Sequence, residues 1–328
     1  MRRITTRLVV LVGITGGSAT EAMVPPDYVR SWGTLGGHNR EFDRLWGIAV
    51  DNGGHVYTIE DANARVQKFN RDGTYLSKWG IPGMGIAGFM DAQGVAVGPA
   101  GLIYVVDSGN HRIQKFSADG AWLGAMCSGG AGPGELNHPT AAAIDGMGNI
   151  YIADTGNHRI QKFSADGEWI EAWGNQELAS PRGVAIDGSG NVVVADSGNH
   201  RIRVYTADGD PVGSWGSAGS AAGQFLTPWG LAVDSQDRVY VADHGNDRIQ
   251  VFEADGGHLT SWGQSGSAAG QLSGPAGVAV DDLGNIYVAD SGNNRVQVFT
   301  TGASGSTPVL SATWGQMKSK YRSAVGGR

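Results

Sequence analysis

Cysteine is nearly missing from this chain: among 328 residues there is one, Cys127. A single thiol excludes an internal disulfide framework and any thiolate zinc cluster, and is best read as a small apolar side chain. Charge is also sparse, at 17% of residues, and the acids outnumber the bases 31 to 24 for a net charge of −7. That balance excludes general nucleic-acid binding, which needs a basic footprint. The N-terminal apolar run, Leu8 to Ile14, is too short to span a bilayer, and nothing else in the chain is a candidate span. With Arg2, Arg3 and Arg7 before it and Gly17 and Ala19 after it, this run resembles a secretory signal cleaved after Ala19. Residues 1–22 are therefore expected to be a signal peptide or an N-terminal tail, and the rest a secreted or periplasmic protein. Helical 3.6-residue periodicity is absent, as are the G-x-S-x-G, H-E-x-x-H and P-loop patterns.

Glycine is abundant instead. There are 54 glycines against 11 prolines, far above the usual glycine share of about 7%. With 41% hydrophobic residues the chain is not of disordered composition, so the glycines read as tight turns between short strands. The length allows two ordinary domains or one large β domain.

An internal repeat decides between them. Arginine recurs at Arg65, Arg112, Arg159, Arg201, Arg248 and Arg295, at intervals of 47, 47, 42, 47 and 47. Five residues before each stands an acid: Glu60, Asp107, Asp154, Asp196, Asp243 and Asp290. Two residues before each stands an asparagine, from Asn63 to Asn293. Each copy holds four short β-branched or aromatic runs separated by Asp-Gly and Gly-Asn turns, which are hairpin signals. The reading is all-β: a six-bladed β-propeller of four-stranded antiparallel blades over residues 28–315, with a C-terminal tail at 316–328. Fourth-strand endings number seven for six blades: Trp32, Trp79, Met126, Trp173, Trp215, Trp262 and Trp314. The N-terminal copy is in phase, 47 residues before Trp79, so Tyr28 to Trp32 is expected to complete the last blade and remove an open edge.

The run P-x-G-V-A-V-D … G-N-I-Y-V-A-D-S-G-N-H-R-I-Q-K-F … D-G-x-W … W-G resembles the NHL repeat. The resemblance implies a six-bladed propeller and little about chemistry, because members include binding platforms, sensor domains and peptidyl-hydroxyglycine amidating lyases. In those lyases the residue after the proline that opens the first strand is a zinc-binding histidine in several blades. The aligned positions here are Trp46, Gln93, Thr140, Arg182, Trp229 and Ala276, none of them histidine, and His138 is out of register. The lyases also place a tyrosine in the loop after the second-strand acid, and no tyrosine stands in the corresponding loops.

The six acid–arginine pairs, near-identical in every copy, read as structural clips: a bidentate, charge-assisted bond pinning the loop between second and third strands. The position between asparagine and arginine varies: Ala64, His111, His158, His200, Asp247 and Asn294. Three imidazoles suggest metal, but loops a blade apart are too far from one another to share an ion. The D-x-x-G-N turns (Asp145, Asp187, Asp281) read as hairpin turns, lacking the spaced carboxylates of a calcium loop. The copies disagree where the first strands enter the channel, and there the candidate ligand-binding residues are Arg44, Trp46, Asp91, Gln93, His138, Thr140, Arg182 and Trp229. Two indoles with two guanidiniums suit a peptide, glycan or anionic small molecule, and the competing reading is that Trp46 and Trp229 plug the channel. Asp91 and His138 form a possible acid–base pair in neighbouring blades. The Gly-Ser-Ala-Ala-Gly loops at 216–223 and 266–270 read as a flexible rim.

The expected function is a non-catalytic secreted or periplasmic propeller that recognises a protein, peptide or glycan through its top face. The alternatives are an enzyme at the channel mouth, a lyase or metal-dependent hydrolase, and a structural subunit of a larger assembly. No catalytic residue and no cofactor is assigned; a channel-bound zinc or calcium ion is the feature that would favour the enzyme.

Overall fold

Strands of five or six residues with both faces apolar cannot stand alone; they need a sheet on each side. In the computed structural model, which describes residues 23–301, the chain meets that need by radial repetition. Six four-stranded antiparallel sheets occupy residues 45–79, 92–126, 141–173, 181–215, 228–262 and 275–300, the last completed by 27–32. They are numbered here as blades one to six. In blade one the strands are Leu45–Val50, Val56–Glu60, Arg65–Phe69 and Tyr75–Trp79, and the other blades repeat this order. The first strands touch one another in a closed ring around the axis.

The hydrophobic core is divided into six clusters, each shared by two neighbouring blades. Second strands such as Ile103–Asp107 and Val192–Asp196 are buried along their whole length, because a blade packs against each face. Fourth strands are the solvent edge; Tyr75–Trp79 alternates half-buried and exposed.

Closure takes the expected route. Asp27–Trp32 pairs antiparallel with Arg295–Thr300, and Trp32 is buried against Phe69 of blade one. The competing fourth strand ending at Trp314, the tail 316–328 and the signal segment 1–22 lie outside the described residues. No helix among the described residues is long and apolar enough to cross a membrane.

Candidate functional site at the channel mouth

The acid of each clip is a hub. Asp154 is wholly buried; its Oδ1 accepts the N–H of Asn137 at 2.7 Å. Its Oδ2 accepts from Asn157 Nδ2 at 2.9 Å, Arg159 Nε at 2.8 Å and Gln161 Nε2 at 3.0 Å. Asp107, Asp243 and Asp290 hold the same set of partners. The expected bidentate pairing is found at Arg65, whose Nε and Nη2 reach both oxygens of Glu60 at 2.9 and 3.3 Å. At the other five clips the arginine gives the carboxylate Nε alone, and in all six its remaining N–H groups strap the segment entering the blade. Arg159 donates in this way to the carbonyls of Ala131, Gly132 and Glu135.

The strap also corrects the reading of the Gly-Ser-Ala-Ala-Gly loops as flexible. Arg248 holds the carbonyls of Ser220 and Ala221, and Arg295 those of Ser267 and Ala268, all within 2.7–2.9 Å. The glutamine two residues after the arginine belongs to the hub and went unassigned in the sequence, although it recurs as Gln67, Gln114, Gln161, Gln250 and Gln297. In blade four Arg203 replaces it and pairs with Glu177, inside the entry segment that accounts for the 42-residue interval.

Each clip loop also reaches the next blade. The residues Arg44, Asp91, His138, Ser180, Thr227 and Gly274 all take a left-handed backbone, with φ between 44° and 55°. Five of their N–H groups are held by the variable position of the preceding clip. His138 N donates to His111 Nδ1 at 3.0 Å, Ser180 N to His158 Nδ1 at 2.9 Å and Thr227 N to His200 Nδ1 at 3.0 Å. Gly274 N donates to Asp247 Oδ1 at 2.7 Å and Arg44 N to Asn294 Oδ1 at 3.2 Å. The position is free to vary among acceptors, with Ala64 the exception. Accepting at Nδ1 places the imidazole proton on Nε2, so each of these three histidines works at its own blade junction.

Two residues further on, the chain turns a side chain into the channel. Strand pairing slips between Leu45 and Ile48, Ala92 and Gly94, Pro181 and Gly183, Pro228 and Leu231, and Pro275 and Gly277. Such bulges re-aim the extra residue. Trp46, Gln93, Arg182, Trp229 and Ala276 consequently line one cavity with Thr140, enclosing about 100 Å³. The glycine that follows lets the ring close: a Cβ at Gly183 would stand 2.1 Å from the carbonyl oxygen of Trp229.

Within the cavity the residues form an aromatic group. Trp46 of blade one and Trp229 of blade five meet at 4.8 Å between ring centroids, across the blade whose mouth residue is the small Ala276. The Arg182 guanidinium lies 4.5 Å from the Trp229 ring centre, and the His244 imidazole stacks on Trp229 at 3.9 Å and 7°. Burial holds the pKa of Arg182 below its ordinary value. Burial also lowers that of His244, partly opposed by the carbonyl of Pro275, to which Nδ1 lies at 3.3 Å. A carbonyl only accepts, so the proton sits on Nδ1 and leaves Nε2 as a base. His244 was not singled out in the sequence, yet a signal exists. It follows the clip acid, where the other copies have Asp61, Ser108, Thr155, Ser197 and Ser291. Thr155, Ser197 and Ser291 donate there to a carbonyl of the next blade.

The remaining predicted residues divide. The Thr140 hydroxyl is committed to Thr155 at 2.7 Å and the Arg182 carbonyl at 2.9 Å. Arg44, Asp91 and His138 stand one step outside the cavity on the left-handed positions. The supposed acid–base pair is arranged differently: His138 meets His111 edge to face at 4.5 Å, while Gln93 reaches toward Asp91 at 3.5 Å. Asp61 is buried beside Asp91; burial and the Asp91 charge raise its pKa, opposed by Arg44 Nη1 at 2.8 Å.

Fold and site together define a six-bladed β-propeller whose least repetitive residues converge on the channel mouth. The chain belongs to the NHL repeat family: NHL repeats match at 89–116, 136–163, 178–205, 225–252 and 272–299. Blade one falls outside these matches and is the blade with Glu60 in place of aspartate. No curated protein matches the sequence. Among solved structures, a protein of unknown function from Bacteroides thetaiotaomicron is 17% identical, with a TM-score of 0.67 over 82% of this chain and 74% of that one. A gluconolactonase from Xanthomonas campestris is 16% identical, with a TM-score of 0.62 over 86% and 99%. The virginiamycin B lyase of Staphylococcus aureus is 12% identical, with a TM-score of 0.58 over 78% and 94%. At these identities the likeness is one of fold.

Proposed function

We propose that this is a non-catalytic binding propeller, secreted or periplasmic, that holds an acidic peptide segment at its channel mouth. One observation carries the reading. Of thirteen arginines among the described residues, eleven stand in ion pairs, and of the other two Arg40 is exposed on the surface. Arg182 is the half-buried guanidinium with no carboxylate beside it, and it lies against an indole in a concave site. A partly desolvated cation without a counter-ion gains most from an incoming carboxylate, which it grips bidentately. Trp46 and Trp229, both half-buried in the cavity lining, supply the aromatic surface against which the segment's side chains pack.

Titration with short peptides carrying adjacent acidic and aromatic residues tests this. The double variant Arg182→Ala, Trp229→Ala is expected to abolish binding and leave the melting temperature little changed; a large loss of stability would show that the pair is packing. The second reading, an enzyme at the same mouth, draws on the His244 imidazole stacked on Trp229, whose pKa burial lowers. A stoichiometric metal ion on the purified protein would favour the enzyme over the binding reading.

A further inference from the structure

Five fourth strands end in Trp-Gly, at Trp32, Trp79, Trp173, Trp215 and Trp262; blade two ends instead in Met126-Cys127. The exchange leaves a gap at the junction with blade three. A Cβ placed at Gly73, Gly120, Gly209 or Gly256 would strike the indole of the preceding blade at 2.5–2.8 Å. At Gly167 the nearest atoms are Met126 Cβ and Sδ, both 3.6 Å away. The space opens into a cleft of about 230 Å³ lined by Tyr104, Lys115, Leu123, Met126, Ile150 and Gly167 among others. An enclosed apolar cavity of about 150 Å³ takes a benzene ring; this cleft is larger and open to solvent on one side.

Two polar groups in the cleft lack the partners their counterparts have. Lys68 Nζ donates to the Ala118 carbonyl of the next blade at 3.0 Å and lies 3.6 Å from Asp119. Lys162 Nζ donates to the Ala207 carbonyl at 2.8 Å and pairs with Asp208 at 3.1 Å. Lys115, the equivalent lysine, lies 5.5 Å from the Tyr104 ring centre and makes neither contact among the described residues. Tyr57, Tyr151, Tyr240 and Tyr287 donate to turn aspartates, but for Tyr104 that position is Gly98. Asp166, exposed at the rim, is the carboxylate among the lining residues. The missing indole sets the shape of the vacancy, and an unpaired ammonium beside a phenol sets its charge.

We propose that this cleft binds a small aromatic carboxylate, its ring over Gly167 in place of the absent indole and its carboxylate on Lys115. The site is separate from the channel mouth. Indole-3-acetate, with indole for comparison, is the probe, followed by isothermal titration and ligand-observed NMR. The expected result is saturable one-to-one binding of indole-3-acetate, weakened about tenfold in Lys115→Ala, the change expected for one charge-assisted contact. Indole should bind about tenfold more weakly than its acid. Met126→Trp should fill the cleft, abolish binding and keep or raise the melting temperature, while Trp229→Ala leaves binding unchanged. Leu123→Glu, at an exposed lining position, should also abolish binding and serves if Met126→Trp does not fold. No saturable binding at millimolar concentration, binding that survives a folded filling variant, or indifference to Lys115 overturns the proposal.

Discussion

Asp154 accepts four hydrogen bonds while fully buried, from a backbone N–H, an amide, a guanidinium and a second amide. At this scale the repeat is a way of burying a charge at low cost: both carboxylate oxygens are engaged, Oδ1 by one donor and Oδ2 by three. Removing one donor strands the carboxylate. Arg112→Ala is therefore expected to destabilise the protein by about 1–3 kcal/mol in urea unfolding, although Arg112 itself is partly exposed. Asp61 poses the reverse case. Its pKa is raised in the fold, so its carboxylate is favourable to folding when protonated and a cost once pH exceeds the folded value. Asp61→Asn should raise the melting temperature at pH 7, with the gain vanishing as pH approaches 4. A gain that is independent of pH would refute the assignment.

At the scale of the element, the clip loop does two jobs with different tolerance. Its acid and arginine recur because the hub needs a carboxylate and a planar donor. Its variable residue needs one acceptor aimed at the next blade's N–H, a role that histidine, aspartate and asparagine all fill here. His158→Asn should thus be nearly neutral, while His158→Leu exchanges this solvent-exposed hydrogen bond for one to water and should cost about 0.5–1 kcal/mol by thermal denaturation. Equal effects of the two substitutions would remove the acceptor role. The spacing of acid, asparagine and arginine made the clip legible in the sequence. The acceptor role was not legible, since its partner lies on another blade, 22 to 27 residues away or, across the ring closure, 250. The strapping of the rim loops was hidden for the same reason: glycine and serine suggest freedom, but their carbonyls are what Arg248 and Arg295 hold.

For the whole molecule, stability lies at the six junctions and in closure. Trp32 seals the junction of blades six and one, in contact with Phe69 and Tyr287. Trp32→Ala should cost about 3–5 kcal/mol, measured by urea unfolding, the range for emptying a buried tryptophan site. The fold also predicts acid sensitivity. Burial depresses the pKa of His244 and His258, so the unfolded chain binds those protons first. Stability is then complete above the unfolded histidine value of about 6.5 and falls as pH drops below it. His244→Asn should flatten that part of the profile; an unchanged profile would show that other groups set it.

The sequence by itself determined the architecture, because a pattern repeated six times reports its turns, strands and clips in each copy, and errors in one are corrected by the others. It also pointed to the mouth column, where the copies differ, and to Tyr28–Trp32 as the closing strand by phase alone. What only the tertiary structure decided is which differing residues meet. Trp46 and Trp229 stand 183 positions apart and touch because a ring of blades closes over Ala276. Met126 reads as one conservative exchange among seven copies until the next blade shows a cleft beside Gly167, where the thinner side chain stands in for an indole. Repetition encodes the frame locally, whereas function depends on side chains from different copies facing one another across junctions, and that proximity exists only once the ring has closed.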